Sequence, residues 1–155
     1  ILPDRIFDGR MVLDLGGEQV ELLTANIHSD DATVIWLPER RVLLAGDTVE
    51  DCVTWVSEPE SFDTHLADLA RLAALQPEWV LPNHGSPEMI AIGGYGPGLL
   101  TATADYIRRL QRSGGDPGLR MAEAMAPHLA NGTLRWFAPY QAVHAQNLAR
   151  VAALR

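Results

Sequence analysis

The stretch from Asn26 to Asp47, NIHSDDATVIWLPERRVLLAGD, constrains the fold more than any other part of the chain. Two uninterrupted apolar runs, TVIWLP and RVLLAG, flank Glu39-Arg40, the pattern of two strands joined by a short turn. Val34, Trp36, Val42 and Leu44 recur at period two, with Ile35, Leu37, Leu43 and Ala45 filling the other face. Successive strand side chains point to opposite faces, so strands apolar at both parities predict a sheet buried on both sides.

The same vocabulary precedes this hairpin and changes after it. RMVLDLGG and EQVELLTANI flank Gly16-Gly17 as an earlier hairpin, the second strand running over residues 20 to 27. In SFDTHLADLARLAALQ, Phe62, Leu66, Leu69 and Leu72 or Ala73 fall at helical spacing; Ser61 is the expected N-cap and Pro77 marks the end. A short strand, EWVLP, follows. GGYGPG lacks the order and spacing of a dinucleotide fingerprint and is expected to be a mobile loop. Helices are expected over LLTATADYIRRLQ, closed by Gly114-Gly115, near GLRMAEAMAPHLA, and from Tyr140 to Leu154. Residues 93 to 98 and 113 to 118 are too short as linkers to separate domains. One α/β (α+β) domain is expected, with a sheet and covering helix over 1–90 and a helical extension over 91–155 packed on it.

Composition narrows the function. A net charge of −8 and a pI near 5.0 disfavour a nucleic-acid backbone as partner, which needs a basic face. Cys52 is the only cysteine, which excludes an internal disulfide framework and a Cys-rich zinc cluster and leaves a buried core thiol. No apolar run reaches the ~20 residues of a membrane span, so no membrane partner and a cytoplasmic location are expected. The chain starts at Ile1, and an upstream targeting segment is not readable.

Three polar residues stand at equivalent places. His28 lies past strand 20–27, Asp47 past strand 41–45, and His84 past strand 79–82. A sheet can converge strand ends on one rim, and imidazoles with a carboxylate are the ligand set of zinc or a similar divalent ion. Elsewhere, Glu50 and Asp51 read as a solvated acidic turn rather than an acid/base pair, and His144 and Asn147 as polar packing of the last helix against the body.

HSDDATVIWLPERRVLLAGD followed by VLPNHG resembles the downstream half of the metallo-β-lactamase superfamily. His-Ser, a strand ending in Leu-Pro, a turn, a strand ending in Gly-Asp, a helix and a short strand ending in His-Gly occur in that order. The resemblance implies the C-terminal half of an αββα sandwich followed by extra C-terminal helices. It also implies a dinuclear zinc site, with iron or manganese as alternatives, in which His28 binds the first metal, Asp47 bridges both and His84 binds the second. Ser29 and Asn83, which adjoin two of these ligands, would orient them from behind or cap the local backbone, and Trp55, in the loop after Asp47, would plug against the core or wall a substrate pocket. The signature His-x-His-x-Asp-His is missing from these 155 residues. The chain is therefore expected to supply part of a site completed by an upstream half of the same protein or by another copy. The implied activity is metal-dependent hydrolysis of an ester-like small molecule: a thioester, lactone or phosphoester. The alternative is a non-catalytic scaffold or interaction module that keeps the fold without the metal chemistry.

Overall fold

The computed structural model describes residues 5–154. Residues 1–4, the start of the expected 1–90 segment, and Arg155, the end of the 91–155 extension, lie outside the described residues. The sheet contains β1 (Arg10–Asp14), β2 (Gln19–Thr24), β3 (Thr33–Leu37), β4 (Val42–Gly46) and β5 (Trp79–Pro82), in the spatial order β1-β2-β3-β4-β5. The first four pair antiparallel in sequence; β5 joins β4 parallel, after the crossover through α1 (Phe62–Ala74). α2 (Pro87–Ala91), α3 (Gly98–Ser113), α4 (Met121–Ala124), α5 (Ala126–Ala130) and α6 (Tyr140–Ala152) follow.

The two faces of the sheet are treated differently. Trp36, Leu43 and Val80 stand in cross-strand register on one face; with Leu23, Val34 and Ala45 they are buried and share one core with Leu69, Leu72, Leu99, Ile107 and Leu148 of α1, α3 and α6. On the opposite face Met11, Leu22, Ile35, Leu44 and Leu81 form a continuous row across all five strands. Leu37, Val42 and Trp79 form a second row beside it. All eight are half-buried, and none belongs to the core or packs against it.

Several sequence expectations are corrected. Val42 and Leu44 share a face with Leu37 and Ile35 rather than with Val34 and Trp36, because the turn over residues 38–41 pairs Leu37 with Val42. Apolarity at both parities did not produce burial on both sides: only one face carries helices. Ser61 takes the N-cap position of α1 as expected but makes no side-chain capping hydrogen bond: it also ends a 3₁₀ turn, Pro59–Ser61, that runs straight into the helix, at φ −95° and ψ 14°. The helix expected over residues 118–130 breaks at Met125, since Pro127 has no N–H to continue the ladder. GGYGPG is no mobile loop: Tyr95 is 1 % exposed and exchanges both backbone hydrogen bonds with Val80, at 2.7 and 2.9 Å. Gly94 permits that approach, with φ +111° and a position where a Cβ would lie 2.9 Å from the Val80 carbonyl oxygen. Among the described residues, no helix is long and apolar enough to cross a membrane.

Candidate metal centre

β2 and β4 are both antiparallel to β3, and β5 is parallel to β4, so the C-terminal ends of β2, β4 and β5 lie at one end of the sheet. His28, Asp47 and His84 each follow one of these ends. Gly46 adopts φ +58°, the left-handed region that favours glycine, and turns the chain out of β4 to present Asp47. The loops carrying Asp47 and His84 are tied together: Asn83 N–H donates to the Gly46 carbonyl at 2.9 Å, and Asp51 N–H to the His84 carbonyl at 3.2 Å. Their side chains meet, with His84 Nε2 3.4 Å from Asp47 Oδ1. Both are partly solvent-exposed, and at that length the contact is an approach rather than a hydrogen bond.

His28 sits beyond a strand two places away from β4, a separation of roughly 10 Å between strands. Ser57 Oγ donates to the His28 carbonyl, which links that end of the rim to the loop after Asp47. Among the described residues, no group of three His, Cys, Asp or Glu side chains closes on one point. Two atoms of the rim are nevertheless buried without a hydrogen-bond partner: His28 Nδ1 and Asp47 Oδ1. Buried polar atoms are ordinarily paired, so partnerless nitrogen and carboxylate oxygen on two rim residues fit a divalent cation. Ser29 Oγ donates to Asp31 Oδ1 at 2.6 Å, a local turn contact. Asn83 contributes its backbone to the tie with Gly46 and its side chain is exposed. Trp55 is half-buried, its ring 4.5 Å below the Arg150 guanidinium.

The loop from Thr48 to Ser57 spans this rim and is gripped by the C-terminal helices. Tyr140 Oη donates to Glu50 Oε2 at 2.7 Å, and Glu50 Oε1 accepts the Trp55 N–H at 3.1 Å. Asn147 does most of the holding: its Oδ1 accepts the Val56 N–H at 3.0 Å, and its Nδ2 donates to the Thr54 carbonyl at 2.9 Å and to Tyr106 Oη at 3.1 Å. Thr54 Oγ1 then donates to the Asp47 carbonyl at 3.1 Å. His144 Nε2 lies 2.8 Å from the Leu119 carbonyl, which can only accept; the proton is therefore on Nε2, and Nδ1 accepts from Tyr106 Oη at 2.9 Å. Burial pushes the His144 imidazole below and the Tyr106 phenol above their ordinary values, so both are neutral members of the network.

The expectation of a solvated acidic turn at Glu50 and Asp51 is overturned: they are 6 % and 4 % exposed. Asp51 accepts the Tyr95 hydroxyl at 2.8 Å and the Arg135 N–H at 2.9 and 3.1 Å. Burial raises its pKa against the opposing pull of these bonds. Its partners lie 44 and 84 residues downstream, so no local signal could have revealed them. Cys52 is buried as expected, its thiol pushed up to about 12, chiefly by desolvation.

Comparison with solved structures gives the class to which this architecture belongs. The chain is similar to a metallo-beta-lactamase family protein from Thermus thermophilus, with 21 % identity over 96 % of this chain and 48 % of that one, at a TM-score of 0.59. It is similar to a metallo-beta-lactamase from Pontibacter korlensis, with 23 % identity over 68 % of this chain and 49 % of that one, at 0.54. A beta-lactamase domain protein from Burkholderia ambifaria matches 99 % of this chain and 48 % of its own, with 18 % identity and a TM-score of 0.54. No family model and no curated protein matches the chain. The fold is that of metallo-β-lactamase proteins, and the chain spans about half the length of the structures it matches.

Proposed function

We propose that this chain supplies part of a metal-dependent hydrolase centre acting on an ester-like small molecule of the thioester, lactone or phosphoester type. The observation that carries the reading is the alignment of His28, Asp47 and His84 at one end of the sheet, with partnerless buried atoms on two of them. These three residues would hold the metal, zinc being the first choice for an imidazole and carboxylate set and iron or manganese the alternatives. Held by these residues, a divalent ion would supply a bound water with its pKa lowered from about 15.7 to near 7 and a Lewis acid for the scissile carbonyl or phosphoryl oxygen. Asp47 would serve as the shared ligand, since none of the hydrogen bonds found at the rim engages its carboxylate. The Thr54 hydroxyl and the Asn83 amide fix the backbone that carries it. Asn147 keeps the rim loop in place from behind, orienting rather than touching a substrate.

The bare row from Met11 to Leu81 supports a companion proposal: a second half-sandwich, from upstream polypeptide of the same protein or from another copy of this chain, packs there and brings further ligands. The second reading, a non-catalytic scaffold, is favoured by one observation, that no three-ligand group closes among the described residues. The two are separated by assaying the protein as its gene encodes it. Thioester, lactone and phosphodiester hydrolysis should vanish on chelation and return with zinc, and Asp47→Ala should lower kcat by at least about a hundredfold, as loss of a metal ligand in such a site does. Chelator-insensitive turnover, or none with metal bound, would refute the hydrolase reading.

A further inference from the structure

Beside the rim opens a cavity of about 530 Å³, within the size range of small-molecule sites. Asn83, His84, Arg135, Trp136, Phe137 and Tyr140 are among the residues that line it. Trp136 and Phe137 are 48 % and 54 % exposed, two adjacent aromatics facing solvent on a strap that is itself held firmly. The buried Leu134 donates its N–H to the His128 carbonyl at 3.0 Å, and both Asp51 oxygens take the Arg135 N–H. Phe137 is braced against Tyr140, with ring centroids 5.8 Å apart, and Tyr140 is fixed by Glu50.

The strap thus presents aromatic surface at a fixed place, lining the same cavity as His84. We infer that this cavity is the subsite for an uncharged, apolar arm of the substrate, aryl or medium-chain acyl, whose scissile group lies at the His84 end. The charge of the wall decides against an anionic arm: Glu88 and Asp51 line the cavity against the single cation Arg135. Arg135 is moreover engaged by the Gly132 carbonyl and by Met89 Sδ. Placing the scissile group beside His84 rests on the rim being the hydrolytic centre; the apolar character of the subsite does not.

The test is equilibrium binding of phenylacetamide and octanamide, uncharged probes, to the protein as its gene encodes it, with and without chelator. Saturable binding is expected in both conditions, weakened by about tenfold or more in Trp136→Ala and in Phe137→Ala, the loss expected when an aromatic contact of a buried arm is removed. Binding should stay unchanged in Leu15→Ala, another exposed apolar residue away from the cavity. Both strap side chains are exposed, so thermal melting of the variants should match the parent and separate lost binding from lost folding. A probe bearing a carboxylate on the ring, 4-carboxyphenylacetamide, should bind at least about tenfold more weakly. Undetectable probe binding, binding in both strap variants as tight as in the parent, or preference for the carboxylated probe would overturn the subsite. A protein that binds these probes but hydrolyses nothing and holds no metal would keep the apolar subsite and lose the hydrolase reading.

Discussion

Leu43 and Leu44 are neighbours in β4 with nearly the same chemistry, yet they live in different environments. Leu43 is fully buried beneath the helices, in register with Trp36 and Val80; Leu44 is half-buried on the opposite face, in register with Ile35 and Leu81. The contrast holds for the whole sheet. One face is finished, with α1, α3 and α6 sharing its core; the apolar row on the other is half-buried and, among the described residues, joins no helix in that core. A sheet apolar on both faces but covered on one is what the proposed second layer would require. The candidate metal rim lies at one end of this sheet, past the C-terminal ends of β2, β4 and β5.

The sharpest way to break this comparison is to truncate both leucines. Leu43→Ala should cost about 2–5 kcal/mol in urea unfolding of the 155-residue chain, while Leu44→Ala should cost less than about 1 kcal/mol. Equal losses would mean that the second face is already covered. Next in size is the network beneath the rim. Asn147→Ala strands the Val56 N–H and the Thr54 carbonyl, and should cost about 1–3 kcal/mol, with faster amide exchange at Val56 as the local signature.

Acid should also act through the finished face. His65, fully buried in α1 with both ring nitrogens unpaired, and His144 are held below their ordinary value of 6.5 by desolvation. The unfolded chain then binds protons that the fold resists. Stability should be full above pH 6.5 and fall as pH drops below it, and His65→Leu should reduce that slope. The smallest effect on stability belongs to the bare face. Leu44→Gln should shift unfolding by less than about 1 kcal/mol, while sedimentation shows weaker self-association of the chain.

The residues legible in the sequence are those whose signal is local. Period-two runs mark β3 and β4, helical spacing marks α1, Gly114-Gly115 marks the end of α3, and His28, Asp47 and His84 stand out because each follows a strand. The register of β4 escapes such reading because it depends on the backbone of the turn at residues 38–41, which the alternation of apolar residues does not encode when both parities are apolar. Glu50 and Asp51 escape it for a different reason. Charged neighbours in a loop read as solvated, and their burial depends on Tyr140, Tyr95 and the Arg135 backbone, brought back from far along the chain. The cavity wall at Trp136 and Phe137 is hidden likewise: its placement comes from being tied to Asp51, not from any motif around it.

We propose that the strand-end rim holds a metal. Elemental analysis of the protein as its gene encodes it, beside its Asp47→Ala variant, tests it most directly. Stoichiometric zinc, iron or manganese in the parent, reduced in the variant while circular dichroism stays unchanged, is the expected result. A parent that remains metal-free after incubation with each ion, or a variant that binds as much metal as the parent, would contradict it.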